Sequence, residues 1–464
     1  MLVILPYRYL WRFKGVKRGD RIEVEVMVLN AKGDGVAYVE DREIVVRRAV
    51  PGDRVSVRLV KKRKGRFEAE IEEFRTMGYE RQNPRCGHFG LCGGCRWQEL
   101  AYEDQLKVKE GMVANALAKL QLPSMEPILA SPTSFDYRNK MEFSFGMDPE
   151  GALQLGLHLR GRFNRVFDVE ECHLQSSLSN RIVESVRRSA RELEILPYDL
   201  KRHQGILRFL VVRDAKNTGQ VMVNLVVASY PNPEVDLLIE RVLSEISEID
   251  VLLVTLHTGK AQVAVGEKEF LIKGKGHIVE SCAGFEFDIS PQAFFQTNPR
   301  QAERLYDVVA QMAGKSGTVL DVYCGTGSIS LILARQAEFV LGIEVVAEAV
   351  DNARYNAERN GVDNCEFVAA AAEDLLEVAA VKERRFDLVI VDPPRVGLHH
   401  RVLAGLSAMQ APQIIYVSCN PHTLACDLDS LQETGYRIEH VQPVDMFPQT
   451  PHCEVVVGLS KRKI

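Results

Sequence analysis

The sequence predicts an α/β protein with a mostly parallel carboxy-terminal sheet, a small amino-terminal β-barrel and a central α+β region. From about residue 291 onward, apolar strand patterns alternate with helical ones, which is typical of βαβ units. Residues 17–77 contain five short strand patterns separated by turn signals. The region between them mixes both patterns without a glycine-rich nucleotide loop. We therefore expect three domains, 1–77, 78–290 and 291–464.

The charge of the chain is unevenly distributed. Residues 1–80 carry 18 Lys and Arg against 13 Asp and Glu, whereas the remainder carries 40 against 50. A basic module on an acidic body is the distribution expected of a polyanion-binding domain. A solvated charged surface without a binding role is the alternative.

The composition excludes a membrane protein and favours the cytoplasm. No run of the chain approaches 18 apolar residues, so we expect no transmembrane helix. Met1–Trp11 is apolar, but Pro6 and Arg8 interrupt it and no small-residue cleavage site follows, so we expect no signal peptide. We also expect a monomer.

The amino-terminal strands fit an OB-like barrel. Between its predicted strands lies the basic tract Lys61–Arg66, which we place on a loop. Such a loop with aromatic neighbours, Tyr38 and Phe67, fits binding to an RNA backbone. The predicted strands are Arg21–Leu29, Gly35–Val39, Arg42–Val46, Val55–Val60 and Phe67–Phe74.

The central region begins with a cysteine cluster. Cys86, Cys92 and Cys95 lie in a glycine-rich loop, and Cys172 follows far downstream. Four thiolates can hold either an iron–sulfur cluster or zinc, and the spacing does not choose between them. Unrelated free thiols are the alternative. After this loop we expect a helix at 101–120, strands at Asn139–Phe145, Leu207–Val212, Gln220–Val227 and Val251–His257, and a helix at Val235–Ile249.

The run from Thr318 to Ser330 (TVLDVYCGTGSIS) predicts a buried strand, a glycine turn and a helix start. Glu344 ends the next strand, 23 residues after Asp321, the spacing at which a carboxylate meets ribose hydroxyls. A GxGxxG motif and a Walker lysine are both missing. The pattern therefore favours S-adenosylmethionine over NAD or ATP. Glu373 and Asp374 after the third strand fit an adenine contact or an ordinary helix start equally well.

A second acidic turn and a cysteine indicate the methyl acceptor. Asp392-Pro393-Pro394-Arg395 resembles the turn of amine-directed methyltransferases, but Arg395 replaces the usual aromatic residue. Cys419 (in VSCNP) ends an apolar strand, and a thiol nucleophile is needed when the acceptor is a ring carbon such as uracil C5. We expect the following helix start to lower the pKa of this thiol. A buried structural cysteine is the alternative.

Glu454, at the mouth of a β run in Pro451–Val457 (PHCEVVV), is our candidate for the base that removes the C5 proton. A carboxylate has no packing reason to lie there. His452 is a competing candidate, and an ordinary turn residue is the alternative for both.

In this order, the motifs resemble the RNA uracil-5 methyltransferase family over nearly the whole chain. They are the four cysteines, Phe294–Asn298 (FFQTN), DVYCGTGSIS, DPPR, VSCNP and HCEVV. The resemblance implies a TRAM barrel, a [4Fe–4S] cluster and a Rossmann-like class I methyltransferase domain. It also implies Cys419 as nucleophile, Glu454 as proton acceptor, and cofactor contacts from Gln296, Tyr323, Glu344 and Asp392.

A TRAM barrel with a cluster favours 23S ribosomal RNA as the substrate over the T-loop uridine of tRNA. Two other functions stay open at this point. One is an amine-directed methyltransferase in which Asp392 acts and Cys419 is structural. The other is a non-catalytic RNA-binding protein that keeps a cofactor fold.

Overall fold

The computed structural model describes residues 15–461 of the chain. The apolar stretch Met1–Trp11 lies outside the described residues, as do the last three. Within residues 15–461, no helix is both long enough and apolar enough to cross a membrane.

The amino-terminal region is one six-stranded sheet with the order β1-β5-β6-β4-β3-β2, antiparallel except between β4 and β6. The predicted strand Arg21–Leu29 is two strands, which Val26 and Met27 join. Those two strands stand at opposite ends of the sheet order, and closure into a barrel stays a prediction. The strands are β1 (Arg21–Glu25), β2 (Val28–Leu29), β3 (Gly35–Val39), β4 (Arg42–Val46), β5 (Arg54–Arg63) and β6 (Arg66–Thr76).

The prediction that Lys61–Arg66 lies on a loop is wrong. The β5–β6 pairing continues to Arg63 opposite Arg66, so the basic tract forms the tip of a hairpin. Only Lys64 and Gly65 turn the chain, with φ of 47° and 83°. Two positive φ angles give the two-residue turn that matches strand twist, which allows the strands to extend this far.

The central region is a seven-stranded sheet with the order β13-β12-β11-β10-β7-β8-β9, packed against two helices, α2 and α3. Both predicted helices, as α1 and α3, and the four predicted strands are present, whereas α2, β8, β9 and β13 were not predicted. The elements are α1 (Tyr102–Leu117), β7 (Lys140–Met147), β8 (Leu153–Leu159), β9 (Arg162–Asp168), α2 (Ser177–Glu192), β10 (Leu207–Asp214), β11 (Val221–Val227), α3 (Pro233–Glu245), β12 (Val251–Leu256) and β13 (Lys268–Lys273).

The carboxy-terminal sheet has the order β18-β17-β16-β19-β20-β22-β21, and a hairpin, β14–β15, packs beside it. The elements are β14 (Ile278–Cys282), β15 (Phe285–Ile289), α4 (Pro299–Ala313), β16 (Ser316–Val322), α5 (Ser328–Ala334), β17 (Ala337–Glu344), α6 (Ala347–Arg359), β18 (Cys365–Ala369), a 3₁₀ helix (Ala372–Glu377), α7 (Ala379–Lys382), β19 (Leu388–Val391), α8 (His400–Met409), β20 (Gln413–Ser418), α9 (Pro421–Glu433), β21 (Tyr436–Val444) and β22 (Glu454–Lys461).

Strand direction places the predicted site at one edge of this sheet. Strands β16 to β20 of the sheet are parallel, so their carboxyl ends meet at the same edge. Strand β22 runs antiparallel to β20, with Ser418 opposite Val455. Because of that reversal, the first residue of β22, Glu454, lies at the same edge as Cys419.

Candidate active site

A cavity of about 1450 Å³ opens at the carboxyl edge of the parallel strands. Its lining residues are far apart in the sequence, and those that the sequence predicts come from six different segments. The sequence-predicted residues that line it are Gln296, Asp321, Tyr323, Glu344, Asp392, Cys419 and Glu454.

The loop between β16 and α5 brings backbone close to this cavity. Tyr323, Gly325 and Gly327 all have positive φ, at 69°, 54° and 85°. A Cβ on Gly327 would lie 3.1 Å from side-chain atoms of Ala353 and Phe367, so this position needs glycine for space as well as for conformation. The predicted helix start at Ser328 is confirmed. The shape of this turn therefore depends on the positive φ angles of Gly325 and Gly327.

Hydrogen bonds hold the carboxylates of Glu344 and Asp321, which lie near the ends of β17 and β16. The side chain of Glu344 accepts hydrogen bonds from the backbone N–H groups of Gly325 at 3.3 Å and Val346 at 3.0 Å. Asp321 accepts one from Ser330 at 2.5 Å, while its Oδ1 is buried with no partner among the described residues. Burial raises the pKa of Asp321 to about 7. An unpaired buried oxygen beside a cavity is a group that a ligand can satisfy.

The cavity wall is strongly acidic. Among the described lining residues, Arg395 is the only basic side chain. Such a wall suits a ligand that carries positive charge. Of the two acids after the third strand, Glu373 lines the cavity, whereas Asp374 pairs with Arg401 at 2.8 Å outside it. The acidic lining residues are Glu267, Glu269, Asp321, Glu344, Glu348, Asp351, Glu373, Asp392 and Glu454.

Cys419 lies between the end of β20 and the first turn of α9, as the sequence predicts. The expected lowering of its pKa is wrong, because burial, together with the nearby Glu454, raises the pKa of the thiol to about 11. The N-cap Asn420 already accepts a hydrogen bond from the backbone N–H of His422 at 3.2 Å. The helix start therefore does not outweigh desolvation, and only the Arg395 guanidinium among nearby side chains opposes the rise.

The turn that carries Arg395 is fixed to the helix behind Cys419. The carbonyl of Arg395 accepts a hydrogen bond from the side-chain amide of Asn420 at 2.9 Å. Three residues later the backbone N–H of Leu398 donates to Asp427 at 2.9 Å. Arg395 thus stays beside Cys419, a role that the sequence analysis did not assign. Its place in the DPPR turn, where an aromatic residue is usual, was the signal.

Glu454 is the carboxyl that raises the pKa of Cys419 most strongly by its charge. Burial and the nearby Asp392 raise the pKa of Glu454 itself, Arg395 lowers it, and the resulting pKa is about 8. The same burial raises the pKa of Asp392 to about 7. Of the two candidate bases, only Glu454 is among the described cavity-lining residues. His452 instead packs against the lining residue Phe447, with ring centroids 6.1 Å apart, and burial lowers its pKa to about 4.

The loop that leads to Glu454, residues 445–453, is held by the first half of the chain. Lys109 on α1 forms an ion pair with Asp445 in the loop, with 2.5 Å between Nζ and Oδ1. Both side chains are fully buried. The side chains of Gln105 and Gln449 bond to each other at 3.0 Å, and the Gln449 N–H also donates to Gln105 at 2.9 Å. These residues were not predicted from the sequence, although a lysine on the buried face of a helix was a usable signal.

The amino-terminal sheet also contacts this loop. A Cβ on Gly33, in the β2–β3 turn, would lie 2.2 Å from Pro451 Cβ, so only glycine permits this approach. Arg96 links the same turn to the loop, since its guanidinium pairs with Asp34 at 3.0 Å and its backbone N–H donates to the carbonyl of Gln449 at 2.8 Å. Three separate parts of the chain therefore meet at the loop that positions Glu454.

The four predicted metal ligands also come together. Cys86, Cys92, Cys95 and Cys172 are free thiols that line a second cavity of about 60 Å³. Within residues 15–461, however, no group of three or more Cys, His, Asp and Glu is arranged to hold a metal ion. A tetrahedral zinc site needs all four sulfurs at about 2.3 Å from one point, whereas a cluster spreads them around a larger body. The donor set therefore fits a metal group in its chemistry, and the metal itself stays a prediction.

The chain is similar to RNA methyltransferases along most of its length. A family model described as tRNA (uracil-5-)-methyltransferase matches residues 101–462. An uncharacterized RNA methyltransferase of Clostridium tetani is 38% identical over 96% of this chain and 99% of its own length. One of Bacteroides thetaiotaomicron is 37% identical over 93% of this chain and 100% of its own.

A solved structure is also similar over most of the chain. It is the Pyrococcus abyssi tRNA (uracil-54, C5)-methyltransferase in complex with S-adenosyl-L-homocysteine. That protein is 31% identical, with a TM-score of 0.75 over 94% of this chain and 100% of that chain.

Proposed function

The chain belongs to the tRNA (uracil-5-)-methyltransferase family, and we propose that it transfers a methyl group from S-adenosylmethionine to C5 of a uridine in RNA. One observation carries this proposal. A thiol, Cys419, and a buried carboxyl, Glu454, line the same cavity as the glycine turn that follows β16. A methyltransferase acting on an amine needs neither the thiol nor a base of this kind.

The acidic cavity fits the cofactor, which carries positive charge on its sulfonium and its ammonium groups. We assign its binding to Gln296, Tyr323, Glu344 and Asp392, which line the cavity. Glu344 has its carboxylate oriented by two backbone N–H groups, as expected for a partner of ribose hydroxyls. When bound, the cofactor supplies the methyl group as an electrophile.

Cys419 acts first in the proposed mechanism. Its thiolate attacks C6 of uracil, so that a C6–S bond forms and the electron pair of the C5–C6 double bond moves to C5. C5 would then take the methyl group, and the electron pair of the broken S–CH3 bond would stay on the sulfur of the cofactor, which leaves as a neutral thioether. Because burial and Glu454 both raise the pKa of Cys419, formation of the thiolate depends on Arg395, the one group that lowers the pKa of this thiol by its charge.

Glu454 completes the reaction. In its ionised form the carboxylate removes the proton from C5, the C5–C6 double bond forms again, and the C6–S bond breaks to release Cys419. With a pKa of about 8, Glu454 is a stronger base than an exposed carboxylate and is close to the value that favours proton transfer near neutral pH.

An incubation with methyl-labelled cofactor and undermethylated total RNA, followed by digestion to nucleosides, tests the proposal. We expect the label in 5-methyluridine. Label in an N-methylated base would instead support an amine acceptor, and no label would support a non-catalytic RNA-binding protein. RNA that contains 5-fluorouridine should trap a covalent complex with the wild-type protein, because fluorine cannot leave as a cation.

We propose 23S ribosomal RNA as the substrate, on the combination of an amino-terminal sheet with a cysteine site. A specific observation favours tRNA as a second candidate. The similarity to the Pyrococcus abyssi tRNA enzyme covers 94% of this chain, so it includes most of the amino-terminal region. That region is thus compatible with either RNA. Separate labelling of undermethylated 23S RNA and tRNA, followed by mapping of the modified uridine, decides between them.

We further propose that the four cysteines hold a [4Fe–4S] cluster. They lie in one cavity, and the cavity joins the loop after β6 to the segment after β9. Protein purified without oxygen should be brown and contain about four irons and four sulfides per chain. Stoichiometric zinc without sulfide would contradict the cluster.

The amino-terminal sheet is proposed to bind RNA through its basic hairpin tip, as a TRAM barrel would. Lys61, Lys62, Arg63 and Lys64 are all exposed there. Changing these four to Ala should weaken RNA binding and reduce its dependence on salt, with cofactor affinity unchanged. Unaltered RNA affinity would assign the sheet another role.

A further inference from the structure

A second exposed surface flanks the cavity, in the segment Thr258–Lys275 that follows β12 and contains β13. Strand β13 stands at the edge of the central sheet, and none of its residues is buried. Val263, Val265 and Leu271 are 46%, 49% and 51% exposed. An edge strand with apolar side chains on its surface is a site where proteins usually meet a partner.

This segment is nevertheless built into a fixed shape. The guanidinium of Arg208, itself 4% exposed, donates to the carbonyls of His257, Gly259 and Ala261 at 2.8, 2.6 and 2.8 Å. Glu267 accepts a hydrogen bond from the backbone N–H of Thr258 at 3.0 Å. A buried arginine that satisfies three loop carbonyls fixes the backbone before any partner binds, which lowers the entropic cost of binding.

The segment reaches the wall of the active-site cavity. Gly266, Glu267 and Glu269 are among the residues that line the active-site cavity. Glu269 also accepts a hydrogen bond from Gln292 at 2.9 Å, which ties the segment to the loop that carries Gln296. A strand of RNA whose uridine enters the cavity therefore runs next to this surface.

The charge of the segment suits the same partner. Residues 258–277 contain four lysines and two glutamates, whereas residues 81–464 as a whole are acidic, with 40 basic against 50 acidic residues. Both glutamates are engaged by protein hydrogen bonds at the cavity side. Lys260, Lys268 and Lys275 are exposed and form none of the salt bridges among the described residues, and the ammonium of Lys268 lies 4.7 Å from the centroid of the Phe270 ring. They are thus available to phosphate groups.

We infer that Thr258–Lys275 binds the RNA strand next to the target uridine, with Lys260, Lys268 and Lys275 on its phosphates and the exposed apolar side chains against its bases or riboses. The inference rests on the proposed function, because it takes RNA as the substrate. It adds a second contact surface on the central domain, separate from the amino-terminal hairpin tip. Single strands are commonly bound by this combination of cationic and apolar groups.

The test compares two triple variants of the full-length protein. One is Lys260→Ala/Lys268→Ala/Lys275→Ala, and the matched control changes the exposed lysines Lys119, Lys201 and Lys315, which do not line the cavity. Binding of undermethylated total RNA is measured by filter retention at several salt concentrations. Each phosphate contact on a single strand contributes about 0.7 to the salt slope.

Loss of three contacts should lower the slope by about 2 and weaken binding on the order of 100-fold at 0.1 M salt, with cofactor affinity unchanged. The control variant should bind like the wild type. Equal binding by wild type and the 260/268/275 variant, or an equal loss in the control, would overturn the inference. The proposed function fails by a different result, namely the absence of 5-methyluridine with the wild-type protein.

Discussion

Replacement of Glu454 by Gln should stabilise the folded protein, and the gain should grow with pH. Glu454 is 6% exposed, and its pKa rises from 4.5 to about 8 on folding. For an acid with a raised folded pKa, the unfolded chain loses its proton first, so stability falls as pH rises from about 4.5 to about 8. Gln has nearly the same shape and cannot ionise, and therefore escapes this loss.

Each unit by which folding raises the pKa costs about 1.4 kcal/mol of stability once the unfolded chain is ionised, and this sets the size of the gain in Glu454→Gln. At pH 5 the variant should be more stable by less than about 1 kcal/mol. At pH 7 the gain should be about 3 kcal/mol, and above pH 8 it should level off at about 5 kcal/mol. The same variant should lose turnover, since attack and methyl transfer need no base at C5 but proton removal does.

Urea unfolding followed by circular dichroism at pH 5, 6, 7 and 8 measures the stability difference. Glu358→Gln, an exposed site on α6, is the control and should give a difference that does not change with pH. Gel electrophoresis under denaturing conditions measures the second effect, as a methylated protein–RNA complex that accumulates in Glu454→Gln. A stability difference that does not change with pH would refute the raised pKa of Glu454. Full activity of Glu454→Gln, together with an adduct trapped by His452→Ala, would refute the role of Glu454 as base.

Four further outcomes are expected. Cys419→Ala should abolish 5-methyluridine and the covalent complex while cofactor affinity stays within about twofold; remaining product would disprove the covalent route. Lys109→Met leaves Asp445 buried without its cation, so it should cost about 3–5 kcal/mol in urea unfolding, against little change for the exposed Lys107→Met. Cys172→Ser should lower the iron content of anaerobically purified protein, which an exposed Cys426→Ser should not. Single-turnover release of RNA should speed up between pH 7 and 9 as Glu454 ionises, and a flat profile would argue against a carboxyl with a pKa of about 8.

Local patterns were enough to predict most strands and the members of the site. The strands at Gly35–Val39 and Arg42–Val46 have the predicted ends, since a turn residue bounds each one. Tyr323, Asp392 and Cys419 follow strands whose direction can be inferred from alternation with helices, whereas Glu454 begins an antiparallel strand. Helix α2 and strands β8, β9, β13, β14 and β15 escaped prediction. Strand β13 buries neither face and so lacks the alternation that a half-buried strand shows.

The sequence by itself determined which chemistry the chain offers: a glycine turn with acids for a cofactor, a thiol, a carboxyl and four cysteines in a loop. These depend on residue type and spacing, which the chain carries locally. The tertiary structure decided how those groups behave. The pKa of Cys419 rises where a helix start alone suggested a fall, because burial and the charge of Glu454 come from distant segments. Lys109 pairs with Asp445 in the loop before Glu454. These two residues are 336 positions apart, and no local pattern encodes a contact of that range.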